Sequence, residues 1–295
     1  MNYFSISQLA SYSGIKPHTI RMWEQRYNAL TPKRSEGNTR YYDNKQLRRL
    51  LNIASLLESG YKVSELCKMP DKKLFRLVEE LPKKAVGNHI NDFFVLQLIS
   101  AGMSYDEASF DKIFSHCILK FGIREAYVKV FYRMLHRVGI MWTSNALEPA
   151  AEHFISNLVR QKLFTVIDSL SGAKTDEDSW LLFLPENEFH EIGLLFANIL
   201  IRQSGRKAIY LGANVPIDSL FVALKQTSPE NVLLFLVGNN LRDETQQYLD
   251  QLSLLFSKKK IYVAAEQSLF HNIQSPQKIH WLSSPNELEG LLPDL

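Results

Sequence analysis

Residues 180–193 read WLLFLPENEFHEIG, which is an apolar run, a polar loop and the start of an apolar helical segment. Four more apolar runs follow, and helical segments alternate with them. This alternation is typical of a parallel, doubly wound sheet. The predicted strands are Trp180–Leu184, Ala208–Leu211, Val232–Val237, Ile261–Ala264 and Ile279–Leu282; the predicted helices are Glu191–Gln203, Ile217–Gln226, Glu244–Phe256 and a short one after Ala265. Because ligands bind at the carboxyl ends of such strands, loop 185–193 is the first candidate site.

The segment before this sheet is helical. Turn signals at Gly102, Gly122 and residues 145–149 separate helical periods of similar length, which predicts an antiparallel four-helix bundle. The predicted helices are Asn88–Ala101, Tyr105–Phe121, Ile123–Met141 and Pro149–Leu170.

The first 82 residues predict short helices and a hairpin. A helix over Ser5–Tyr12, a break at Gly14 and a helix over His18–Tyr27 form a helix-turn-helix pattern, whose second helix enters the major groove of DNA. Thr31–Asp43, with arginines and tyrosines around a Gly-Asn turn signal, predicts a two-stranded wing. A leucine-rich helix over Asn44–Ser59 and a helical turn at Val63–Cys67 follow.

Charge is uneven along the chain. Residues 1–82 hold 14 Lys and Arg against 8 Asp and Glu, a net charge of +6, whereas residues 83–295 carry −3. A basic head on a mildly acidic body indicates a nucleic-acid reader. Charge alone leaves an ordinary solvated surface open as the alternative.

Polar and basic side chains of the head are the candidate DNA contacts, through base edges or phosphates. They are His18, Thr19, Arg21 and Arg26 in the second helix, and Arg34, Arg40, Tyr41 and Tyr42 in the wing. We expect Ile20 and Trp23 to face the core, and Arg48 and Arg49 to lie on a solvated helix face.

Composition excludes several classes of protein. Two cysteines are too few for a disulfide framework or a cysteine zinc site. The N-terminus lacks the pattern of a signal peptide, and no apolar run reaches the ~18 residues that a membrane span needs. We expect a cytoplasmic protein without a membrane span. The sequence contains no evident nucleophile or paired-acid constellation, so we expect it not to be an enzyme.

Loop 185–193 holds a candidate metal ligand, His190. A neutral imidazole can bind a transition metal through one nitrogen, while a carboxylate such as Glu188 holds the other. Gly193 would let a bulky ligand approach the backbone. A surface histidine without a ligand remains the alternative.

The bundle supplies a second candidate group at one rim. Trp142 ends one predicted helix, and Glu152 and His153 lie in the first turns of the next. The alternative is structural, with Trp142 closing the bundle end and Glu152 interacting with the helix dipole.

Residues 3–66 resemble the MerR family of winged-helix regulators through TIRMWEQRYNALTPKR (19–34), GNTRYYD (37–43) and the leucine-rich helix. The resemblance implies binding to double-stranded, pseudo-palindromic promoter DNA. The cysteine cluster of the metal-sensing members is missing. The long dimer helix of simple members also has no counterpart, because after Met69-Pro70 the chain is expected to enter the bundle.

The rest of the chain resembles the cobalamin-binding module, a helical bundle followed by a Rossmann-like domain. The family motif Glu/Asp-x-His-x-x-Gly corresponds to residues 188–193, and the order of domains is similar to that of the light-responsive CarH/LitR repressors. The resemblance implies that His190 is the lower ligand of cobalt, supported by Glu188. It also implies that Trp142 and Glu152 cover the upper face around a deoxyadenosyl group, that His153 contacts the corrin or that group, and that adenosylcobalamin is the cofactor.

Three departures from the family pattern bear on this site. Thr143 stands where the photoreceptor has a histidine that takes the upper cobalt position after illumination. Ala264 and Ala265 replace two glycines that leave room for the nucleotide tail, and Val237-Gly238 replaces a serine or threonine that bonds the tail's base.

The predicted fold is multidomain. It has an α winged helix-turn-helix head (residues 1–75), a four-helix bundle cap (83–172) and an α/β Rossmann-like, flavodoxin-like domain (178–295). The predicted function is a cobalamin-sensing transcriptional regulator, a repressor acting as a homo-oligomer (dimer or tetramer), with light as the family's trigger. The alternatives are a regulator with a degenerate pocket that acts through protein contacts and, with least support, a corrinoid-dependent methyltransferase subunit.

Overall fold

The computed structural model describes residues 3–34, 38–58, 60–84, 89–143, 147–173, 178–237, 242–265, 273 and 279–292. The chain divides into two compact units, residues 1–158 and 159–295. The predicted head and most of the predicted bundle fall within the first unit. The finer division at residues 75, 83 and 172 stays a prediction.

The head begins with the two predicted helices, α1 (Ile6–Ser13) and α2 (Pro17–Tyr27). Ser5 caps α1 through a capping box, in which its hydroxyl accepts from the amide of Gln8 while the Gln8 side chain accepts from the amide of Ser5. Gly14 ends α1 in the left-handed conformation, with φ of 75°. Pro17 starts α2, where its missing N–H is not needed.

The predicted wing is confirmed over the residues that the structure describes. Strands β2 (Lys33–Arg34) and β3 (Arg40–Asp43) pair antiparallel, and a short β1 (Tyr3–Phe4) pairs with the other edge of β3. Gly37 of the predicted turn lies outside the described residues.

The segment after Pro70 differs from expectation. Beyond α3 (Asn44–Glu58) and α4 (Val63–Leu66), Pro70 precedes a further helix, α5 (Asp71–Lys84). The chain therefore does not enter the bundle directly after Pro70. This helix packs on α3, with Leu74 and Val78 buried. Its apolar stripe explains why the segment is helical.

The bundle helices follow the predicted periods, with one π-helical segment at Tyr127–Phe131. They are α6 (His89–Met103), α7 (Glu107–Ala126), α8 (Tyr132–Thr143) and α9 (Pro149–Ser169). The break predicted at Gly122 is confirmed by its φ of 71° and ψ of 164° inside α7. No helix among the described residues is long and apolar enough to span a membrane.

Head and bundle share a core, which the sequence did not predict. Helix α3 of the head packs along α6 of the bundle. A buried polar group joins them, because the amide of Gln97 donates to the hydroxyl of Ser55 at 2.8 Å. The head is therefore a packed part of the first unit.

The second unit confirms the predicted doubly wound sheet. Its five strands are all parallel, in the order β5-β4-β6-β7-β8, which is the flavodoxin-like order. They are β4 (Trp180–Pro185), β5 (Ala208–Val215), β6 (Asn231–Leu236), β7 (Lys260–Ala265) and β8 (Ile279–Leu282). All six residues of β4 are buried, as expected for a strand covered on both faces.

Helices alternate with these strands as predicted. They are α10 (Ile192–Gln203), α11 (Ile217–Thr227), α12 (Arg242–Leu255) and α13 (Pro285–Gly290). The short helix predicted after Ala265 lies outside the described residues. The strand order reverses between β4 and β6, so the loop after β4 lies at the switch point, where ligands bind in such sheets.

Candidate functional site

The outer face of α2 carries the predicted DNA-reading residues. His18, Arg21 and Arg26 are exposed and Thr19 is partly buried. The ring of His18 and the hydroxyl of Thr19 are within hydrogen-bond distance at 3.3 Å. Ile20 and Trp23 are buried, which confirms their predicted place in the core. An exposed, basic face on the second helix is the surface that this motif presents to the major groove.

The wing presents Arg34, whose exposed guanidinium donates to the side-chain oxygen of Asn38 at 2.5 Å. Tyr41 is partly buried. Both remain predicted DNA contacts.

A buried carboxylate on α2 corrects the prediction for Tyr42. The Tyr42 side chain is fully buried, at 0% exposure, and its hydroxyl donates to Glu24. Burial, followed by this hydrogen bond, raises the pKa of Tyr42 well above its ordinary value. In β3, alternate residues face opposite sides of the strand, so Tyr42 points into the core and cannot contact DNA from there.

Arg40 faces the same carboxylate. Its Nε lies 3.2 Å from Oε2 of Glu24, and its side chain is 26% exposed. Glu24 thus joins the second helix to the wing through both Tyr42 and Arg40. A phosphate contact by Arg40 stays a prediction. Its guanidinium already has an internal partner in Glu24.

Arg49 was expected on a solvated face and is instead a structural residue. Its guanidinium donates to the backbone carbonyls of Ala29, Cys67 and Met69 and pairs with Asp71 at 2.6 Å. Nothing in the local pattern separates it from Arg48, which is exposed. The partners lie about 20 residues away on both sides, so the helical period carries no signal for them.

The bundle residues singled out by the sequence lie in the first unit. Trp142 is exposed at the end of α8. In the first turn of α9, Nδ1 of His153 lies 2.8 Å from a carboxylate oxygen of Glu152. The predicted Glu-His pair is therefore brought together.

The loop after β4 is organised by Glu188. This side chain is 3% exposed, and its Oε1 accepts from the amides of Phe189 and His190 at 2.9 and 3.0 Å. Its Oε2 accepts from the amide of Val237 at 3.2 Å. Because Val237 directly follows β6, one buried carboxylate joins the two strand ends at the switch point.

Glu188 also holds the predicted metal ligand. Its Oε1 lies 2.6 Å from Nδ1 of His190, whose side chain is 64% exposed. A carboxylate at Nδ1 fixes the tautomer and raises the basicity of the ring, which leaves Nε2 as the nitrogen through which a metal would bind. The arrangement can serve as an oriented, single-imidazole ligand.

Glu191 is a site residue that the sequence reasoning did not single out. It is 7% exposed and receives two donors, the Tyr210 hydroxyl at 2.8 Å and the guanidinium of Arg160 at 2.5 Å. Burial and the bond to Glu191 raise the pKa of Tyr210. Only the position of Glu191, directly after His190, could have drawn attention to it.

Close packing between α10 and the sheet requires a glycine at position 193. A Cβ at this position would lie 2.6 Å from Cε1 of Phe235 on β6. The glycine lets α10 approach the sheet closely, and close approach of a ligand to its backbone stays a prediction.

The residues that depart from the family pattern lie at neighbouring strand ends. Ala264 and Ala265 are the last residues of β7 and are partly buried, and Val237 is exposed. Gly238 lies outside the described residues.

Comparisons with known proteins match two segments of the chain, the head and the helical segment that follows it. Residues 4–72 match the family model described as MerR HTH family regulatory protein, and residues 96–166 match the model described as B12 binding domain. The chain therefore carries a MerR-type helix-turn-helix domain, followed by a segment similar to B12 binding domains.

The chain is homologous to two regulators of Myxococcus xanthus. It is 27% identical to the HTH-type transcriptional repressor CarH over 84% of both chains. It is 29% identical to the HTH-type transcriptional repressor CarA over 83% of this chain and 80% of that protein. Among solved structures, the Methanosarcina barkeri monomethylamine corrinoid protein is similar in fold, with a TM-score of 0.53 and 14% identity over 66% of this chain and 94% of that one.

Proposed function

We propose that this protein regulates transcription by binding promoter DNA through its head and a cobalamin through His190. The observation that carries the proposal is the 2.6 Å contact between Nδ1 of His190 and the buried carboxylate of Glu188. The pair lies at the switch point of a flavodoxin-like sheet, where ligands of such sheets bind.

The residues at this place fit a cobalamin. His190 supplies the nitrogen ligand and Glu188 orients it. Phe189 and Val237, on either side of the carboxylate in the hydrogen-bond network, are both exposed apolar residues. Exposed apolar side chains around one oriented polar group are typical of a site for a large, mostly apolar ligand. Cobalamin, when bound, supplies a cobalt ion whose upper ligand can be lost or exchanged.

The remaining roles rest on the family resemblance. In the first unit, Trp142 and Glu152 would cover the upper ligand, and His153 would contact the corrin or that ligand. The exposed Trp142 and the 2.8 Å pair of Glu152 and His153 are compatible with these roles. Adenosylcobalamin is the form that we propose.

Regulation then follows from a population shift. A ligand that binds one oligomeric form better than another would stabilise that form, and a change in the ligand would remove the bias. A dimer or tetramer would present several basic heads to adjacent half-sites on DNA. Homology to two repressors favours repression, and light is the proposed trigger.

Absorption spectroscopy of the purified chain tests the axial ligand. The protein mixed with adenosylcobalamin in the dark and passed over a desalting column should retain a corrin spectrum. His190→Ala should lose that spectrum, whereas His280→Ala, which removes an exposed histidine of β8, should keep it. An unchanged corrin spectrum with His190→Ala would refute axial ligation. Illumination followed by a second DNA-binding measurement tests the trigger.

A regulator with a degenerate pocket is the second candidate, favoured by the methyl groups of Ala264 and Ala265. In that case the wild-type chain retains no corrin, and the double variant Ala264→Gly/Ala265→Gly gains retention. The monomethylamine corrinoid protein shows the fold alone at 14% identity, so it gives no support for methyl transfer.

A further inference from the structure

Two anchored glutamates enclose His190 in the chain. Glu188, two residues before, binds the ring and the amide of His190. The backbone carbonyl of Glu191, one residue after His190, accepts from the amide of Leu195 at 2.9 Å at the start of α10. The amide of Glu191 donates to the carbonyl of Phe189 at 2.9 Å. The backbone on both sides of His190 is thus fixed.

The Glu191 side chain is held from two other elements. Arg160 lies near the middle of α9, and Tyr210 lies in the edge strand β5. The two donors engage different oxygens of the carboxylate, at 2.5 and 2.8 Å. Glu191 therefore has one position in which both oxygens are satisfied, and that position fixes the peptide that follows His190.

This network differs from a surface ion pair because the Glu191 carboxylate is buried. A buried carboxylate is tolerated only when it is paired and hydrogen-bonded, and removal of one partner leaves an uncompensated charge. If the side chain of Arg160 or Tyr210 is removed, the Glu191 carboxylate lowers its free energy by turning toward water. That movement would displace the residue bonded to His190.

We propose that Glu191, held by Arg160 and Tyr210, is a positioning residue that sets the orientation of His190 toward its ligand. This inference rests on the proposed function, because the orientation matters for a ligand at Nε2. Glu188 supplies the proton partner and the tautomer, and Glu191 supplies the placement of the backbone. The network makes residue 160 of the helical segment part of the support of the metal ligand.

The matched control is a second ion pair of the same unit. Nε of Arg206 lies 2.6 Å from Asp178, which precedes β4 and thus lies at the amino end of the strand, opposite His190. Arg206→Met removes a partly buried cation from this pair without touching the loop. Arg160→Lys keeps a cation and is the conservative variant.

The first measurement uses the cobalamin-free, full-length chain. In Arg160→Met and Tyr210→Phe, the amides of Phe189 and His190 should exchange hydrogen with solvent about tenfold faster than in the wild type, as expected for a loss of about 1.4 kcal/mol of local stability. Arg206→Met and Arg160→Lys should leave these two amides unchanged. Equal acceleration by Arg160→Met and Arg206→Met would show a general loss of stability and overturn the inference, as would no acceleration in any variant.

The second measurement uses the cobalamin-loaded chain. Arg160→Met and Tyr210→Phe should raise the Kd of cobalamin about tenfold, the lower end of what loss of a supporting partner costs a metal site. In the electron paramagnetic resonance spectrum of the chain loaded with cob(II)alamin, the lines split by the nitrogen of His190 should broaden. Unchanged affinity and coupling would overturn the inference. A wild-type chain that binds no cobalamin would refute the proposed function alone, because the exchange measurement still reports whether Glu191 positions the loop.

Discussion

In the head and in the sheet domain, a buried glutamate contacts residues that the sequence assigned to binding. Glu24, 8% exposed, accepts from the Tyr42 hydroxyl and pairs with Arg40. Glu188, 3% exposed, accepts from the ring of His190 and from three backbone amides. The two carboxylates have similar burial, yet their partners differ.

The two sites differ in whether the partner of the carboxylate keeps an exposed functional atom. The functional atom of Tyr42 is its hydroxyl, which is buried and bonded to Glu24. Tyr42 was predicted to contact DNA, but in the structure it connects the second helix to the wing. His190 keeps a second ring nitrogen beyond its contact with Glu188 and is 64% exposed, so the carboxylate orients a group that can still act. Of these two partners, His190 keeps a functional atom that a ligand could reach, and Tyr42 does not.

The largest effect is expected for Glu188→Ala. It leaves three amides and the Nδ1 of His190 without their acceptor, and it removes the group that raises the basicity of the ring. Cobalamin affinity should fall by about 10- to 100-fold. Titration followed by absorption checks this, with Glu186→Ala, an exposed glutamate of the same loop, as the control. Equal affinities of the wild type and Glu188→Ala would contradict the comparison.

Gly193→Ala tests packing around the same loop. The added methyl group meets Phe235 at 2.6 Å, and such overpacking costs about 1–3 kcal/mol. The midpoint of thermal unfolding of the second unit should fall, and Phe235→Leu in the same chain should restore part of it. Gly290→Ala, where a Cβ meets nothing within 4 Å, is the control. A Gly193→Ala chain as stable as the wild type would show that α10 can move away.

Tyr42→Phe tests the support role in the head. It removes a donor to a buried carboxylate, and hydrogen bonds to charged groups contribute about 1.5–3 kcal/mol. Hydrogen exchange of the α2 and β3 amides should report a loss of about 2 kcal/mol. DNA affinity of the folded protein should stay within about twofold. A large loss of DNA affinity at unchanged stability would restore Tyr42 as a contact.

Arg34→Ala is expected to give the smallest effect. One phosphate contact changes the slope of log K against log salt by about 0.9. Binding to a duplex selected by the protein from a random pool, followed by anisotropy at several salt concentrations, should show a slope reduced by about one contact. Lys225→Ala, in α11, should keep the slope. A slope equal to that of the wild type would remove Arg34 from the interface.

The fold could be predicted from the sequence because its signals are local. Apolar runs such as 180–184 and turn signals such as Gly122 lie within one element, and every predicted strand overlaps an observed one. The Glu188–His190 pair was also predictable, because its members are two residues apart. Arg160 and Glu191 are 31 residues apart, and no periodicity connects such a pair. Tyr42 was misjudged although alternation along β3 could have separated it from Tyr41.

The packing of α3 against α6 has a geometric consequence for recognition of DNA. Because a buried Gln97–Ser55 bond joins these helices, the recognition helix cannot pivot freely on a linker. In any symmetric assembly of this chain, the separation and mutual angle of the two α2 helices would then follow from how the two first units are placed relative to each other. The operator would be selected by its spacing as well as by its bases, so inserting half a turn of duplex between half-sites should be more damaging than inserting a full turn.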